Sequence, residues 1–176
     1  MATTSGLMTF AEFEKLPDIP GYRFELRHGE LVKVGYPVHE HYLIQRRLRR
    51  VMERPAGDHG IVDIELAFRA LPEHEYRVAD VAFVSRERWE KIPRNGCLAG
   101  APEIVIEVLS PSNTATEILD KEKLWLENGA REFWVVDPDH RQIKISTPDG
   151  RTVTCRSGDE IPLSFGGTLA VDSVFD

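Results

Sequence analysis

The chain has 176 residues, 41% of them hydrophobic and 29% charged, which suits one globular domain with a core and excludes a disordered or fibrous chain. Its formal net charge of −7 excludes a protein that coats nucleic acid by bulk positive charge, although a local basic stripe can still bind it. No run reaches the roughly 18 apolar residues that span a bilayer, and the first residues lack a charged start followed by an apolar core. We therefore expect a single domain over residues 1–176, in the cytoplasm and away from membranes.

The two cysteines, Cys97 and Cys155, lie far apart in the sequence. Neither has a cysteine or histidine partner at the spacing of zinc ligands. This pattern indicates reduced, structural thiols, as expected in a reducing compartment.

The first third of the chain contains signals for short elements. A short helix is predicted from Phe10 to Leu16, with Thr9 as its cap. The pair His28-Gly29 separates two strand patterns, Tyr22 to Leu26 and Glu30 to Val34, which predicts a hairpin.

A longer amphipathic helix is predicted from His41 to Glu53. Its apolar face carries residues at i, i+4, i+7 and i+8, namely Ile44, Leu48, Val51 and Met52. Its other side carries Arg46, Arg47, Arg49, Arg50 and Arg54. Such a stripe either contacts phosphates or is a solvated face, and the second is the commoner case.

Alternating strands and a helix follow in the rest of the chain. In order, the patterns predict a strand over Ile61 to Phe68, a turn over Pro72 to Glu75, strands around Asp80 and Glu107, a helix over Ala115 to Asn128, a strand over Phe133 to Val136, and a hairpin that turns at Pro148 to Gly150. The strand of Glu107, the helix and the next strand form a β-α-β unit, so that we expect a mixed α/β fold.

Two carboxylates interrupt apolar strand patterns. Asp80 lies within the run Val78 to Val84, and Glu107 lies within the run Ile104 to Leu109. A buried carboxylate costs several kcal/mol unless a charged partner or a metal compensates it. Two strand carboxylates suit Mg²⁺, which prefers one or two carboxylates together with waters and substrate phosphate. The alternatives are a strand-end Asp80 bound by backbone amides and a purely structural ion-pair cluster.

Motifs along nearly the whole chain resemble the Uma2 family (DUF820) of restriction endonucleases, within the PD-(D/E)xK nuclease superfamily. In order, these motifs are Leu-Arg-His-Gly-Glu-Leu-Val at 26–32, His41, Ala-Asp-Val at 79–81, Glu-Val-Leu-Ser-Pro-Ser at 107–112, Lys121, and Gly-Ala-Arg-Glu-Phe-Trp-Val-Val-Asp-Pro at 129–138. The resemblance implies a restriction-endonuclease-like mixed sheet flanked by helices, with additional antiparallel hairpins.

The same resemblance implies a catalytic site. Asp80 and Glu107 would be the metal ligands for Mg²⁺ or Mn²⁺, and Lys121 would be the third catalytic residue, since Leu109 occupies the usual lysine position. Glu30 and His41 match the amino-terminal pattern and would be auxiliary residues; the alternatives are a glutamate that only belongs to the hairpin and a histidine that only begins the helix.

Several positions depart from the family pattern, although none removes a proposed ligand. Ala79 stands in place of a proline, Glu117 in place of an aspartate and Trp125 in place of a tyrosine. A helical wheel also places Glu122 nearer the centre of the apolar stripe than Lys121. The choice of Lys121 therefore rests on the resemblance.

The leading hypothesis is a metal-dependent DNA endonuclease that hydrolyses phosphodiester bonds, and the resemblance implies a homodimer. One alternative is a catalytically silent DNA-binding or assembly module with the same fold. Another is a hydrolase that acts on a different phosphoester. The acid-acid-lysine set favours an active enzyme over the silent module.

Overall fold

A seven-stranded mixed sheet lies at the centre of the structure, which is a computed structural model that describes residues 6–17, 19–70 and 73–176. In chain order the elements are α1 (Phe10–Phe13), β1 (Arg23–Arg27), β2 (Glu30–Val34), α2 (His39–Ala56), β3 (Gly60–Arg69), β4 (Arg77–Ser85), α3 (Arg86–Glu90), β5 (Leu98–Ala99), β6 (Ile104–Val108), α4 (Ala115–Glu127), β7 (Glu132–Asp137), β8 (Gln142–Ser146), β9 (Thr152–Cys155), β10 (Glu160–Pro162), β11 (Thr168–Ala170) and α5 (Asp172–Phe175).

The strand order of the sheet confirms the mixed α/β prediction. The order is β5-β3-β4-β6-β7-β8-β9, and two further pairs, β1-β2 and β10-β11, form separate antiparallel hairpins. Strands β6 and β7 are parallel and α4 connects them, while β3 with β4 and β8 with β9 are antiparallel. The β1-β2 hairpin, the β8-β9 hairpin and the β-α-β unit were expected from the sequence, whereas the β10-β11 hairpin was not.

Each face of the sheet packs against one long helix. Because side chains alternate along a strand, Ile106 and Val108 pack with the apolar face of α2, whereas Val105 packs with Leu124 and Trp125 of α4. The sheet therefore separates two apolar clusters. Polar side chains of the central strands β4 and β6 can therefore contact residues of α2 on one face of the sheet and residues of α4 on the other.

Some predicted boundaries were wrong. Helix α1 ends at Phe13 rather than Leu16, because the residue before Pro17 is disfavoured in a helix and the chain closes with tighter bonds such as Leu16 N–H to Phe13 O, 3.0 Å. Helix α2 runs past Glu53 to Ala56, which is buried. The prediction at Pro72 and the reading of residues 1–5 fall outside the described residues.

Two further expectations concern the cysteines and membranes. Both Cys97 and Cys155 are free thiols. In the described part of the chain, no helix combines the length and apolar character needed to cross a bilayer.

Candidate metal centre and catalytic site

The candidate site lies where strands β4 and β6 separate. The last registered pair between them is Val81 with Ile106, and the next residues along the two strands are Asp80 and Glu107. Beyond this pair the strands no longer bond to each other in register. The two carboxylates therefore lie at neighbouring positions where backbone groups need other partners.

Asp80 receives hydrogen bonds from the backbone and from α2. The Val108 N–H donates to its Oδ2 at 2.8 Å, while the Gln45 amide donates to its Oδ1 at 3.2 Å. His41 Nε2 lies 3.1 Å from the same Oδ1. The hydrogen bond from the Val108 N–H is the kind of contact expected if Asp80 is a strand-end residue bound by backbone amides. A carboxylate accepts about four hydrogen bonds or metal bonds in total, so these contacts leave room for a ligand.

Glu107 is buried, and its two oxygens differ. Lys121 Nζ donates to Oε2, whereas Oε1 is buried with no hydrogen-bond partner among the residues that the structure describes. Burial raises the pKa of Glu107, the Lys121 charge opposes this rise, and the Asp80 charge adds to it. The carboxyl group is thus destabilised as an anion and has one free coordinating oxygen.

Lys121 points from α4 toward the sheet. Thr114 and Glu117 form a capping box that fixes the start of the helix. The Lys121 side chain contacts Glu107 and is only 12% exposed. Glu122, which the helical wheel placed nearer the centre of the apolar stripe, instead lies 3.3 Å from Lys144. Burial acts to lower the pKa of Lys121, but the Glu107 and Asp80 carboxylates raise it above its ordinary value. Lys121 therefore remains an ammonium group beside the two acids.

The auxiliary residues are placed differently. His41 contacts Asp80; burial acts to lower the pKa of this imidazole, but the hydrogen bond and charge of Asp80 raise it above its ordinary value. Glu30 is exposed at the start of β2 and pairs in register with Arg27. Within the described chain, no contact joins Glu30 to Asp80 or Glu107. The structure brings together Asp80, Glu107, Lys121 and His41, and places Glu30 apart from them.

Glu65 and Gln45 also belong to this region, and neither was predicted from the sequence. Glu65 lies in β3 with a φ of 54°, between the pairs Ile64 with Val81 and Leu66 with Ala79, so it faces Asp80 without a register partner. The Gln45 amide donates to Glu65 Oε1 at 2.5 Å as well as to Asp80. Positive φ at a non-glycine residue costs of order 1–3 kcal/mol and often occurs at functional sites.

The signal for Glu65 was visible but ambiguous. Glu65 interrupts an apolar run, as Asp80 does, yet it alternates with Ile64 and Leu66 and so resembles an ordinary solvent-facing position. Gln45 lies beside Ile44 on the apolar face of α2 and is fully buried. A buried glutamine on such a face is the clearer of the two signals.

A metal at this site would have few protein ligands. Among the described residues, no group of three or more histidine, cysteine, aspartate or glutamate side chains is arranged to hold a metal ion. Two carboxylates with one free buried oxygen fit a hard cation that takes its other ligands from water and phosphate. A cavity of about 310 Å³ beside His41, lined also by Ser110 and Asp137, lies next to the site.

Comparison with known proteins places these features in a family. The sequence profile of Uma2, described as "Putative restriction endonuclease", matches residues 10–172. The chain belongs to the Uma2 family. A crystal structure from Anabaena variabilis ATCC 29413, titled as a putative nuclease belonging to DUF820, is similar with a TM-score of 0.81 and 24% sequence identity, covering 96% of this chain and 97% of that one.

The comparisons support the fold and a coarse function. The structural similarity confirms the restriction-endonuclease-like sheet, and membership of the Uma2 family supports a nuclease. No curated protein matches the chain.

Proposed function

We propose that this Uma2 protein is a metal-dependent DNA endonuclease of the cytoplasm, with Asp80 and Glu107 as ligands of Mg²⁺ or Mn²⁺. The family supports a nuclease, and the free thiols suit a reducing compartment. Lys121 and His41 complete the set of residues that act at the site. Glu30 lies apart, and we assign it no role.

The observation that carries this proposal is the free oxygen of Glu107. Four glutamates of the described chain are buried, namely Glu25, Glu75, Glu103 and Glu107. In the first three, both carboxylate oxygens have a donor, whereas Glu107 Oε1 has none. A buried polar atom without a partner is costly and calls for an explanation, and a bound cation would supply the missing partner.

The residues of the chain would divide the work of phosphodiester hydrolysis. Asp80 and Glu107 would hold a cation, which would supply polarisation of the phosphoryl oxygen and a lower pKa of a bound water. The Asp80 carboxylate is oriented by Gln45 and the Val108 N–H. Lys121, kept protonated by the two acids, stabilises developing negative charge on the phosphate. His41 holds a proton against Asp80 at the edge of the neighbouring cavity.

A nicking assay tests this function. Plasmid and linear DNA are incubated with the protein in Mg²⁺, Mn²⁺ or EDTA, beside Asp80→Asn, Glu107→Gln and Lys121→Ala. We expect metal-dependent nicking that all three variants lose and that Lys123→Ala retains, because Lys123 is an exposed lysine of the same helix. Nicking that persists in the three variants would rule out this site.

The second candidate is a catalytically silent DNA-binding or assembly module. The contact between Lys121 and Glu107 favours it, because an ion pair alone would partly offset the two buried charges. Absence of nicking with either metal, together with DNA binding, would favour the silent module. Cleavage of a small phosphodiester in place of DNA would favour the third class of hydrolase.

The homodimer remains a prediction from the family resemblance. Light scattering during size-exclusion chromatography checks it, with a mass of about twice the 20.0 kDa chain expected. A mass of one chain at the concentrations used for cleavage would contradict it.

A further inference from the structure

Helix α2 presents two parallel rows of side chains near the site. His41 and Gln45 contact Asp80, and the adjacent row consists of residues four apart, namely Tyr42, Arg46, Arg50 and Arg54. Residues at this spacing line up along a helix, with a rise of about 6 Å between neighbours. The second row is called the arginine row below. It runs beside the catalytic side chains along the solvent side of α2.

The arginines of this row have no acidic partners. Arg49, outside the row, lies 3.4 Å from Asp63, and Arg47 donates to the Phe175 carbonyl at 3.2 Å. Within the described chain, no carboxylate lies within ion-pair distance of Arg46, Arg50 or Arg54. On a protein with a net charge of −7, three neighbouring arginines without acids form a local site for phosphates.

A groove lies along part of the arginine row. Its volume is about 660 Å³, and its lining includes Tyr42, Arg46, Arg50, Glu53 and, from the sheet, Ile64. Ile64 directly precedes Glu65, which binds Gln45. One wall of the groove is therefore next in sequence to a carboxylate that shares the Gln45 amide with Asp80.

Two exposed tyrosines each lie beside an arginine of this region. Tyr42 is 39% exposed, and the Arg46 guanidinium lies 5.9 Å from its ring centre. Tyr36, before α2, is 66% exposed with Arg23 at 5.6 Å, and Arg23 also bonds Glu65 at 2.5 Å. Exposed aromatic rings beside arginines are the features with which proteins hold unpaired bases and their backbone.

We propose that the arginine row and groove bind a single DNA strand, with phosphates along Arg46, Arg50 and Arg54 and an unpaired base stacked on Tyr42. The substrate class would be DNA with unpaired nucleotides at the cleavage point, such as single strands, forks or flaps. This inference rests on the proposed function, since it specifies the substrate of that site. A base inside a duplex is already stacked and cannot use the tyrosine ring.

Fluorescence anisotropy in EDTA tests the inference without cleavage. The probes are a labelled 20-nucleotide DNA strand, its blunt duplex and the RNA strand of the same sequence. We expect the DNA strand to bind at least about tenfold more tightly than the duplex. Tyr42→Ala should weaken binding of the strand about tenfold, while Tyr42→Phe, which keeps the ring, should not.

Two further variants separate charge from stacking. Arg50→Gln should reduce the slope of log affinity against log salt by about 0.7, the value for one phosphate contact on a single strand. Tyr22→Ala is the matched control, because Tyr22 is 46% exposed under Lys33 but lies just before β1 and does not line the groove. It should leave binding unchanged.

Several results would overturn the inference. These are equal affinity for strand and duplex, no DNA binding, unchanged binding in Tyr42→Ala, and tighter binding of the RNA strand. Tight, Tyr42-dependent binding without nicking in metal would instead sustain the inference and refute the proposed cleavage.

Discussion

The two ends of strand β6 each carry a buried glutamate, and their surroundings differ. Glu103, just before the strand, accepts from the Ser85 hydroxyl at 2.6 Å and from the Ser85 N–H and Arg88 at 3.2 Å. Within the described ranges, Glu107, four residues later, accepts only from Lys121 and keeps one oxygen without a donor. The first carboxylate joins β4, α3 and β6 together. The second is placed with capacity left for a ligand.

This contrast shows that burial alone does not identify a catalytic acid. Glu103 is 8% exposed and Glu107 is 3% exposed, so that both are removed from solvent. What differs is the number of donors that the fold supplies to each oxygen. Satisfied buried acids stabilise the structure, while an unsatisfied one marks a place where something else is expected to bind.

The largest expected difference between the two glutamates is in activity. Glu107→Gln should lower the rate of plasmid nicking at least about 100-fold, because removal of one electrostatic group at a reacting centre commonly costs 10² to 10³. Glu103→Gln should leave the rate per folded protein within about threefold. Nicking rates under saturating Mn²⁺ check this, with circular dichroism to confirm folding. Equal losses of nicking rate in Glu107→Gln and Glu103→Gln would contradict a catalytic role that belongs to Glu107 and not to Glu103.

The next difference is in the stability that is lost when the cationic partner of each glutamate is removed. Arg88→Met should lower the free energy of unfolding by about 2 kcal/mol, since Glu103 and the carbonyls of Ala99 and Ala101 lose a donor. Lys121→Met should lower the free energy of unfolding by about 1 kcal/mol at pH 7. Burial favours the protonated, neutral form of Glu107, which does not need the Lys121 ammonium group as a partner. Urea unfolding in EDTA measures both values. A larger loss of unfolding free energy in Lys121→Met than in Arg88→Met would indicate that Lys121 and Glu107 form a structural ion pair.

Much of the fold was predictable from sequence because its signals are local. The hairpin at His28-Gly29 and the β-α-β unit that contains Glu107 follow from turn residues and apolar runs. The short hairpin of β10 and β11 was missed because strands of three residues carry almost no periodic pattern.

The site was only partly predictable, since its contacts join distant parts of the chain. Asp80 and Glu107 were recognised as acids inside apolar strands, yet Gln45 and Glu65 were not, because their roles depend on how α2 lies against β3. Glu103 was missed for a similar reason: its partners Ser85 and Arg88 come from another segment. A carboxylate inside an apolar strand is visible in the sequence, whereas a buried acid just outside a strand and the partners of both acids are not.

A pH-dependent effect follows from the raised pKa of Glu107. Burial raises this pKa from 4.5 to about 8. A raised value in the folded state means that the stability contribution is present below the unfolded value and is lost as pH rises through the folded one. The unfolding free energy of the wild type relative to Glu107→Gln should therefore fall between about pH 4.5 and 8. The steepest slope that the loss of one proton allows is about 1 kcal/mol per pH unit.

Urea unfolding in EDTA at pH 5, 6.5 and 8 measures this difference. A difference that stays constant across the three pH values would contradict the account of Glu107.

The smallest expected effect is at Glu30. This residue fits the family pattern but lies exposed in the β1-β2 hairpin, away from both acids. Glu30→Gln should change nicking rate and Mn²⁺ affinity by less than about twofold, because solvent screens an exposed charge. A loss comparable to that of Glu107→Gln would place Glu30 at the site and require a rearrangement of the hairpin.

Calorimetric titration of Mn²⁺ into the metal-free protein tests the central claim most directly, since it measures the proposed metal centre without DNA. The wild type should bind Mn²⁺ at one site per chain, Glu107→Gln should weaken this binding at least about tenfold, and Glu103→Gln should leave it unchanged. Absence of Mn²⁺ binding in the wild type, or equal weakening by the two substitutions, would contradict a metal centre at Asp80 and Glu107.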